Sequence, residues 1–164
     1  MKKFALTVFL IINIMLIPAN AQEKSNSGNG LVIYKVEMDA DEVVQILKAN
    51  LEAQQITLVD TTNPAAPLSN NVKIFPDFDK LNVTFIQNFL VTSITTLYKI
   101  FTVDPNAMVL SPWVITIYQY EDDDYTYIVR TKSSSLLQGT THPEVKKAVE
   151  ELESRIDAAI ADLL

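Results

Sequence analysis

Trp113-Val114-Ile115-Thr116-Ile117-Tyr118-Gln119-Tyr120 is followed by Glu121-Asp122-Asp123-Asp124 and then by Tyr125-Thr126-Tyr127-Ile128-Val129-Arg130-Thr131. Two runs rich in β-branched and aromatic residues, joined by a short acidic turn, read as a β-hairpin. At least part of the sheet is therefore antiparallel. Along the first run Trp113, Ile115 and Ile117 form one alternate set, and Val114, Thr116, Tyr118 and Tyr120 the other. The second run adds Tyr125, Tyr127 and Val129. Both faces of the hairpin are apolar or aromatic. A helix layer covers one of them; the other needs a partner subunit, a ligand or a loop, because wide apolar patches are seldom left bare. Self-association makes a homodimer the expectation. The competing expectation is that residues 61–79 fold over that face.

Working outward, Leu81, Val83, Phe85 and Phe89 alternate with Asn82, Thr84 and Asn88, the clearest strand pattern in the chain. Ile94, Leu97, Tyr98 and Phe101 recur at helical spacing and predict a short amphipathic helix, stopped by Asp104-Pro105. Further upstream, residues 31–36 and 56–59 read as strands. Between them Asp39 and Glu42 make a capping box, behind which Val43, Leu47 and Leu51 form an apolar stripe. Residues 61–71 hold two prolines and three asparagines and read as a loop, and residues 72–75 as a brief pairing segment. Downstream of the hairpin, a long helix from about Pro143 carries Val145, Ala148, Val149, Leu152, Ile156, Ala159, Ile160 and Leu163 on one stripe. This order predicts a two-layer α+β domain. Its sheet would be mixed or antiparallel, of about four to five strands, with helices on one face.

The chain opens Met1-Lys2-Lys3, runs apolar from Phe4 to Ile17 with two polar interruptions, and continues Pro18-Ala19-Asn20-Ala21. A basic start, an apolar stretch and an Ala-x-Ala site are the parts of a cleaved secretory signal, with Ala19 and Ala21 at the cleavage site. The apolar run is shorter than the roughly 20 residues a spanning helix needs. The expected protein is exported, periplasmic or secreted, and not stably inserted in a membrane. Residues 22–29 read as a flexible leader. Cleavage leaves residues 22–164, long enough for a single domain with its own core. There is no cysteine, so disulfide stapling and thiol catalysis are excluded. Losing Lys2 and Lys3 leaves 11 basic residues against 20 acidic, a formal charge of −9. A surface this acidic repels nucleic acid and anionic lipid.

The residues that could carry chemistry are few. His142 is the sole histidine and sits in Thr141-His142-Pro143-Glu144, where Thr141 as cap and Glu144 three residues on mark a helix start. With one His and no Cys, a zinc site would need carboxylates that zinc rarely accepts. Residues 121–124 lack the spacing and glycine of a calcium loop and read as a solvated turn. Ser133-Ser134-Ser135 lacks a Gly-x-Ser-x-Gly frame, has only His142 as a possible imidazole base, and reads as a polar loop. No catalytic residue, metal or cofactor is expected.

Several segments resemble the bacterial domain-of-unknown-function family 302. Residues 30–51 look like its opening strand and capped helix. Phe85-Ile86-Gln87-Asn88-Phe89 with Thr96-Leu97-Tyr98 resembles its strand ending in Asn-Pro before a short helix. Ser111-Pro112-Trp113-Val114-Ile115-Thr116-Ile117-Tyr118 is similar to its Leu-Pro-x-x-Val-x-Val-Tyr strand, with Glu121-Asp122 as the acidic turn. His142-Pro143-Glu144 and the last helix resemble its C-terminal helix. Phe89 stands where the family favours proline, Ser111 where it favours leucine, and Asp124 where it has a turn glycine. The resemblance implies a two-layer α+β domain, often dimeric, and transfers no catalytic residue.

The leading expectation is an exported, non-enzymatic ligand-binding or protein-interaction module acting as a homodimer. Its partners would be a second copy and either a small apolar ligand or an envelope protein. Any ligand pocket is expected near Asn88, Tyr98, Trp113 and Tyr118, where aromatics supply apolar area with a polar tip. The alternatives are a carboxylate-dependent hydrolase or isomerase and a structural envelope component. The first needs a pair of acids in one cleft.

Overall fold

The computed structural model describes residues 24–27 and 30–164. The signal-peptide reading, with Ala19 and Ala21, lies outside the described residues. Six strands form one sheet in the order β1-β2-β6-β5-β4-β3. They are β1 (Lys24–Ser27), β2 (Leu31–Val36), β3 (Thr57–Thr62), β4 (Val83–Thr92), β5 (Trp113–Tyr120) and β6 (Thr126–Thr131). Every neighbouring pair is antiparallel. Three helices, α1 (Ala40–Ala53), α3 (Ile94–Phe101) and α4 (Pro143–Ala161), form the second layer, and a four-residue α2 (Ala66–Ser69) lies in the long β3–β4 connection. The architecture is two-layer α+β, with one strand more than the sequence pattern gives. The extra strand lies inside the segment read as a flexible leader, where Lys24 to Ser27 pair with Tyr34 to Leu31. Polar composition hides a strand whose bonds are all backbone.

The core lies between the sheet and the helices. Val32, Tyr34 and Val36 of β2, Ile128 of β6, Trp113, Ile115 and Ile117 of β5, and Phe89 and Val91 of β4 point into it. They meet Val43, Leu47 and Leu51 of α1 and Val145, Val149, Leu152, Ile156 and Ile160 of α4. The α1 and α4 stripes therefore face inward as expected. Asp39 caps α1 by accepting the Asp41 N–H at 2.9 Å.

Three local readings are corrected. A bulge between Val83 and Phe85 moves Val83 off the face of Phe85 and Phe89, and Leu81 sits in a 3-10 turn before the strand. Residues 72–75 make turns, with Val72, Ile74 and Phe75 exposed, and do not pair. The residue before α4 is His142, and it makes no side-chain cap bond, so the Thr141/Glu144 box does not form; proline at the first helical position fixes the start instead.

The largest departure is α3. Of its expected stripe, Leu97 packs partly against the core, but Ile94, Tyr98 and Phe101 are 76%, 71% and 61% exposed, while Thr96 and Ile100 are buried. A guanidinium sets this rotation. Arg155 of α4 donates to Ser93 Oγ at 3.0 Å, to Thr96 Oγ1 at 2.9 Å and to the Gln54 carbonyl at 3.2 Å. Hydroxyls on one side of α3 are drawn inward, and the opposite apolar side is left outside.

Candidate interaction face

The sheet face turned away from the helices is set by strand alternation. Ile33 and Lys35 of β2, Tyr127 and Val129 of β6, Thr116 and Tyr118 of β5, and Ile86, Asn88 and Leu90 of β4 stand on it in register. All are half-buried. In the β3–β4 connection Val72, Ile74 and Phe75 are exposed, while Phe78 is half-buried and lines a small cleft with Val83 and Thr84.

At the hairpin end this face becomes an aromatic cluster. Tyr118 and Tyr127 are cross-strand partners, with rings stacked 5.0 Å apart at 10°. Tyr120 meets both edge-on, at 5.5 and 6.1 Å. Lys35 Nζ lies 3.7 Å from the centre of the Tyr125 ring, a cation–π contact. Asp123 of the turn organises the end of the cluster: Oδ1 accepts the Tyr125 N–H at 3.1 Å, and Oδ2 accepts the Tyr127 hydroxyl at 2.6 Å. That hydrogen bond, reinforced by burial, pushes the Tyr127 phenol up to about 12. Burial and then the neighbouring Tyr120 and Asp123 raise Tyr118 as well. Both phenols stay protonated at ordinary pH, so the rings offer flat apolar faces and hydroxyl tips beside the Asp123 carboxylate.

The four residues singled out from sequence do not converge. Asn88 and Tyr118 share the open face, where Asn88 Oδ1 accepts from Thr116 Oγ1 at 2.9 Å. Trp113 points the other way, into the core, 4% exposed; its indole N–H finds no acceptor among the described residues. Tyr98 stands on the outer side of α3 and lines a shallow 310 Å³ groove with Lys99, Val103, Glu144 and Glu151. A larger cleft of about 510 Å³ lies between α1, β3 and α3, lined by Lys48, Ile56, Leu58 and Ile94 among others.

A second polar constellation went unread in the sequence. Arg130, 5% exposed, reaches from β6 to Asp157 of α4, donating through Nε at 2.6 Å and ion-pairing through Nη2. The Tyr34 hydroxyl donates to the same Asp157 oxygen. One turn earlier on α4, buried Glu153 accepts the Ser134 N–H at 2.9 Å and its hydroxyl at 2.7 Å. Arg130, Ser134, Glu153 and Asp157 line a cleft of about 220 Å³. The serine run is thus no solvated loop: Ser133–Leu137 is a 3-10 turn with Ser133 and Ser134 buried. Two signals were available. Arg130 falls in the inward alternate set of β6 with Thr126 and Ile128, and Glu153 sits inside the apolar stripe of α4, four residues after Val149. Among the described residues, no group of three or more His, Cys, Asp or Glu is placed to hold a metal.

Residues 32–163, from the first buried position of β2 to just past α4, match the family described as Domain of unknown function DUF302. The chain belongs to the DUF302 family. The fold is shared with the uncharacterized conserved DUF302 protein from Bacillus stearothermophilus, whose crystal structure is similar to this chain with a TM-score of 0.68. The two are 14% identical, over 83% of this chain and 99% of that one. A comparison with curated proteins finds no match. The DUF302 match runs from β2 through α4, so the open face and the Arg130–Asp157 pair both fall within the family domain, and β1 lies outside it.

Proposed function

We propose that this DUF302 protein is an exported, non-catalytic interaction module that works as a homodimer joined through the open sheet face. The observation that carries this reading is the uncovered apolar and aromatic surface running from Ile33 to Leu90. Four strands about 4.8 Å apart, with up to eight residues at about 3.3 Å, give a face of roughly 19 by 26 Å. Its projection of about 500 Å² is about two thirds of the ~800 Å² per partner of a standard interface before side-chain relief is added. Its centre is free of formal charge, which suits burial against a second copy.

Native mass spectrometry of residues 22–164 tests the reading. A dimer is expected, and Val129→Glu, which places a carboxylate at the centre of the face, is expected to yield monomer. A monomeric parent protein, or a dimer indifferent to Val129→Glu, overturns it. Extra bound mass on a monomer would assign the face to a small apolar ligand instead. The carboxylate-dependent hydrolase or isomerase reading has one favouring observation, since Glu153 and Asp157 line the same cleft. Their bonds to Ser134, Arg130 and Tyr34 also fit a polar staple holding α4 to the sheet, and that assignment accounts for every member of the cluster.

A further inference from the structure

On the helix side of the sheet, at the β3 edge, lies the cleft of about 510 Å³ between α1, β3 and α3. The chain around it accounts for its shape. After α1 ends, Gln55 takes a left-handed conformation with φ 57°, and Ile56 behind it is buried. Leu58 of β3 pairs with Val91 and packs half-buried against the core. Across from them Ile94 opens α3 and is exposed. Arg155 ties the two sides together, since it binds the Gln54 carbonyl on one and Ser93 and Thr96 on the other. The contact that turns the apolar side of α3 outward thus leaves Ile94 as a wall of this cleft.

Lys48 of α1 supplies the charge. It lines the cleft and is half-buried, with Nζ 5.6 Å from the centre of the buried Phe89 ring, within cation–π range. Among the described residues no carboxylate oxygen stands at ion-pair distance from that ammonium. A half-buried cation beside apolar walls suits the anionic end of an apolar molecule, because a charge-assisted contact strengthens as water is excluded. We infer that the cleft binds a small apolar acid, its carboxylate against Lys48 and its hydrocarbon body against Ile56, Leu58 and Ile94. The cleft volume falls within the roughly 300–1,000 Å³ of small-molecule sites. Glu52, exposed one turn on along α1, lines the same cleft, so a head with a second negative charge would face a like charge. A singly charged carboxylate is therefore favoured over a phosphate. The cleft and the open sheet face lie on opposite sides of the sheet, so this site does not depend on the homodimer.

Amide NMR titrations of isotope-labelled residues 22–164 with octanoate, 1-octanol and octyltrimethylammonium test the site. They are run at physiological salt, where a Debye length of ~8 Å screens the acidic surface at large. Octanoate is expected to give saturable shifts at Ile56, Leu58, Ile94 and Thr95. Octanol, with the same chain and no charge, is expected to bind about tenfold more weakly for want of one charge-assisted contact, and the cation more weakly still. Lys48→Met should weaken octanoate about tenfold and leave octanol unchanged. Ile94→Glu, at an exposed position where the fold tolerates the change, should abolish the binding of both. No saturable shift, shifts confined to the open face around Tyr118 and Val129, or an octanoate affinity indifferent to Lys48→Met overturns the site. Tighter binding of octyl phosphate than of octanoate overturns the carboxylate head. None of these outcomes bears on the dimer, which native mass reads separately.

Discussion

Helices α3 and α4 both carry apolar residues at helical spacing, yet α4 buries its stripe and α3 turns much of its own outward. In α4 the positions between stripe residues are mostly charged, so only one face can enter the core. In α3 nearly every position is apolar or a small hydroxyl, and the sequence Ile94-Thr95-Thr96-Leu97-Tyr98-Lys99-Ile100-Phe101 leaves two faces open to burial. Arg155 decides between them by binding Ser93 and Thr96. Apolar periodicity fixes the rotation of a helix when its other face is costly to bury. When it is not, a single polar contact can decide.

The largest break in this contrast is Leu152→Ala at the fully buried centre of the α4 stripe. It is expected to cost about 2–5 kcal/mol by removing packed volume, read as a lowered midpoint in chemical denaturation. Arg155→Met comes next: it leaves the Ser93 and Thr96 hydroxyls without their charged donor, at a cost of about 2 kcal/mol, and frees α3 to rotate. Faster amide exchange along α3 than along α4 in this variant would sharpen the contrast, whereas uniform exchange would count against Arg155 as the pin. Phe101→Ser on the exposed side should change stability by less than ~0.5 kcal/mol; a loss comparable to Leu152→Ala would mean that side is covered in solution.

Two titrations give the smallest effects. Lys99 of α3 pairs with Glu151 of α4 at 2.6 Å and holds that carboxyl below its ordinary range. The ionised pair favours the fold above the usual carboxylate pKa, and its contribution fades as pH falls through the depressed value. Lys99→Met should move the Glu151 midpoint upward in a carbonyl-detected NMR titration. On the open sheet face the sign is reversed. Tyr127 is raised, so the fold favours its protonated form; that contribution is complete below the ordinary tyrosine pKa near 10 and is lost as pH rises through about 12. Tyr127→Phe should remove a phenol titrating above the ordinary tyrosine range from an absorbance titration at 295 nm.

Much of the fold was legible because each strand and long helix repeats its own period. Val43, Leu47 and Leu51 announced α1, and the Trp113–Tyr120 alternation announced both a buried and an open face. The candidate site was legible only in part. Asn88 and Tyr118 belong to the open face through strand parity, which sequence carries. Trp113 belongs to the core, because parity alone does not say which alternate set meets the helices. Tyr98 was misplaced for want of Arg155, sixty positions away from the region it orients.

The sequence by itself determined the element types, the antiparallel hairpin, the acid-rich and cysteine-free surface chemistry, and the existence of a second apolar sheet face. These follow from local periodicity and composition, which need no knowledge of neighbours. Tertiary structure alone decided which side of α3 is buried, the recruitment of Lys24–Ser27 as a sixth strand, and the gathering of Tyr34, Arg130, Ser134, Glu153 and Asp157 between sheet and α4. Each of these depends on a partner distant in sequence or on backbone hydrogen bonds that side-chain patterns do not encode.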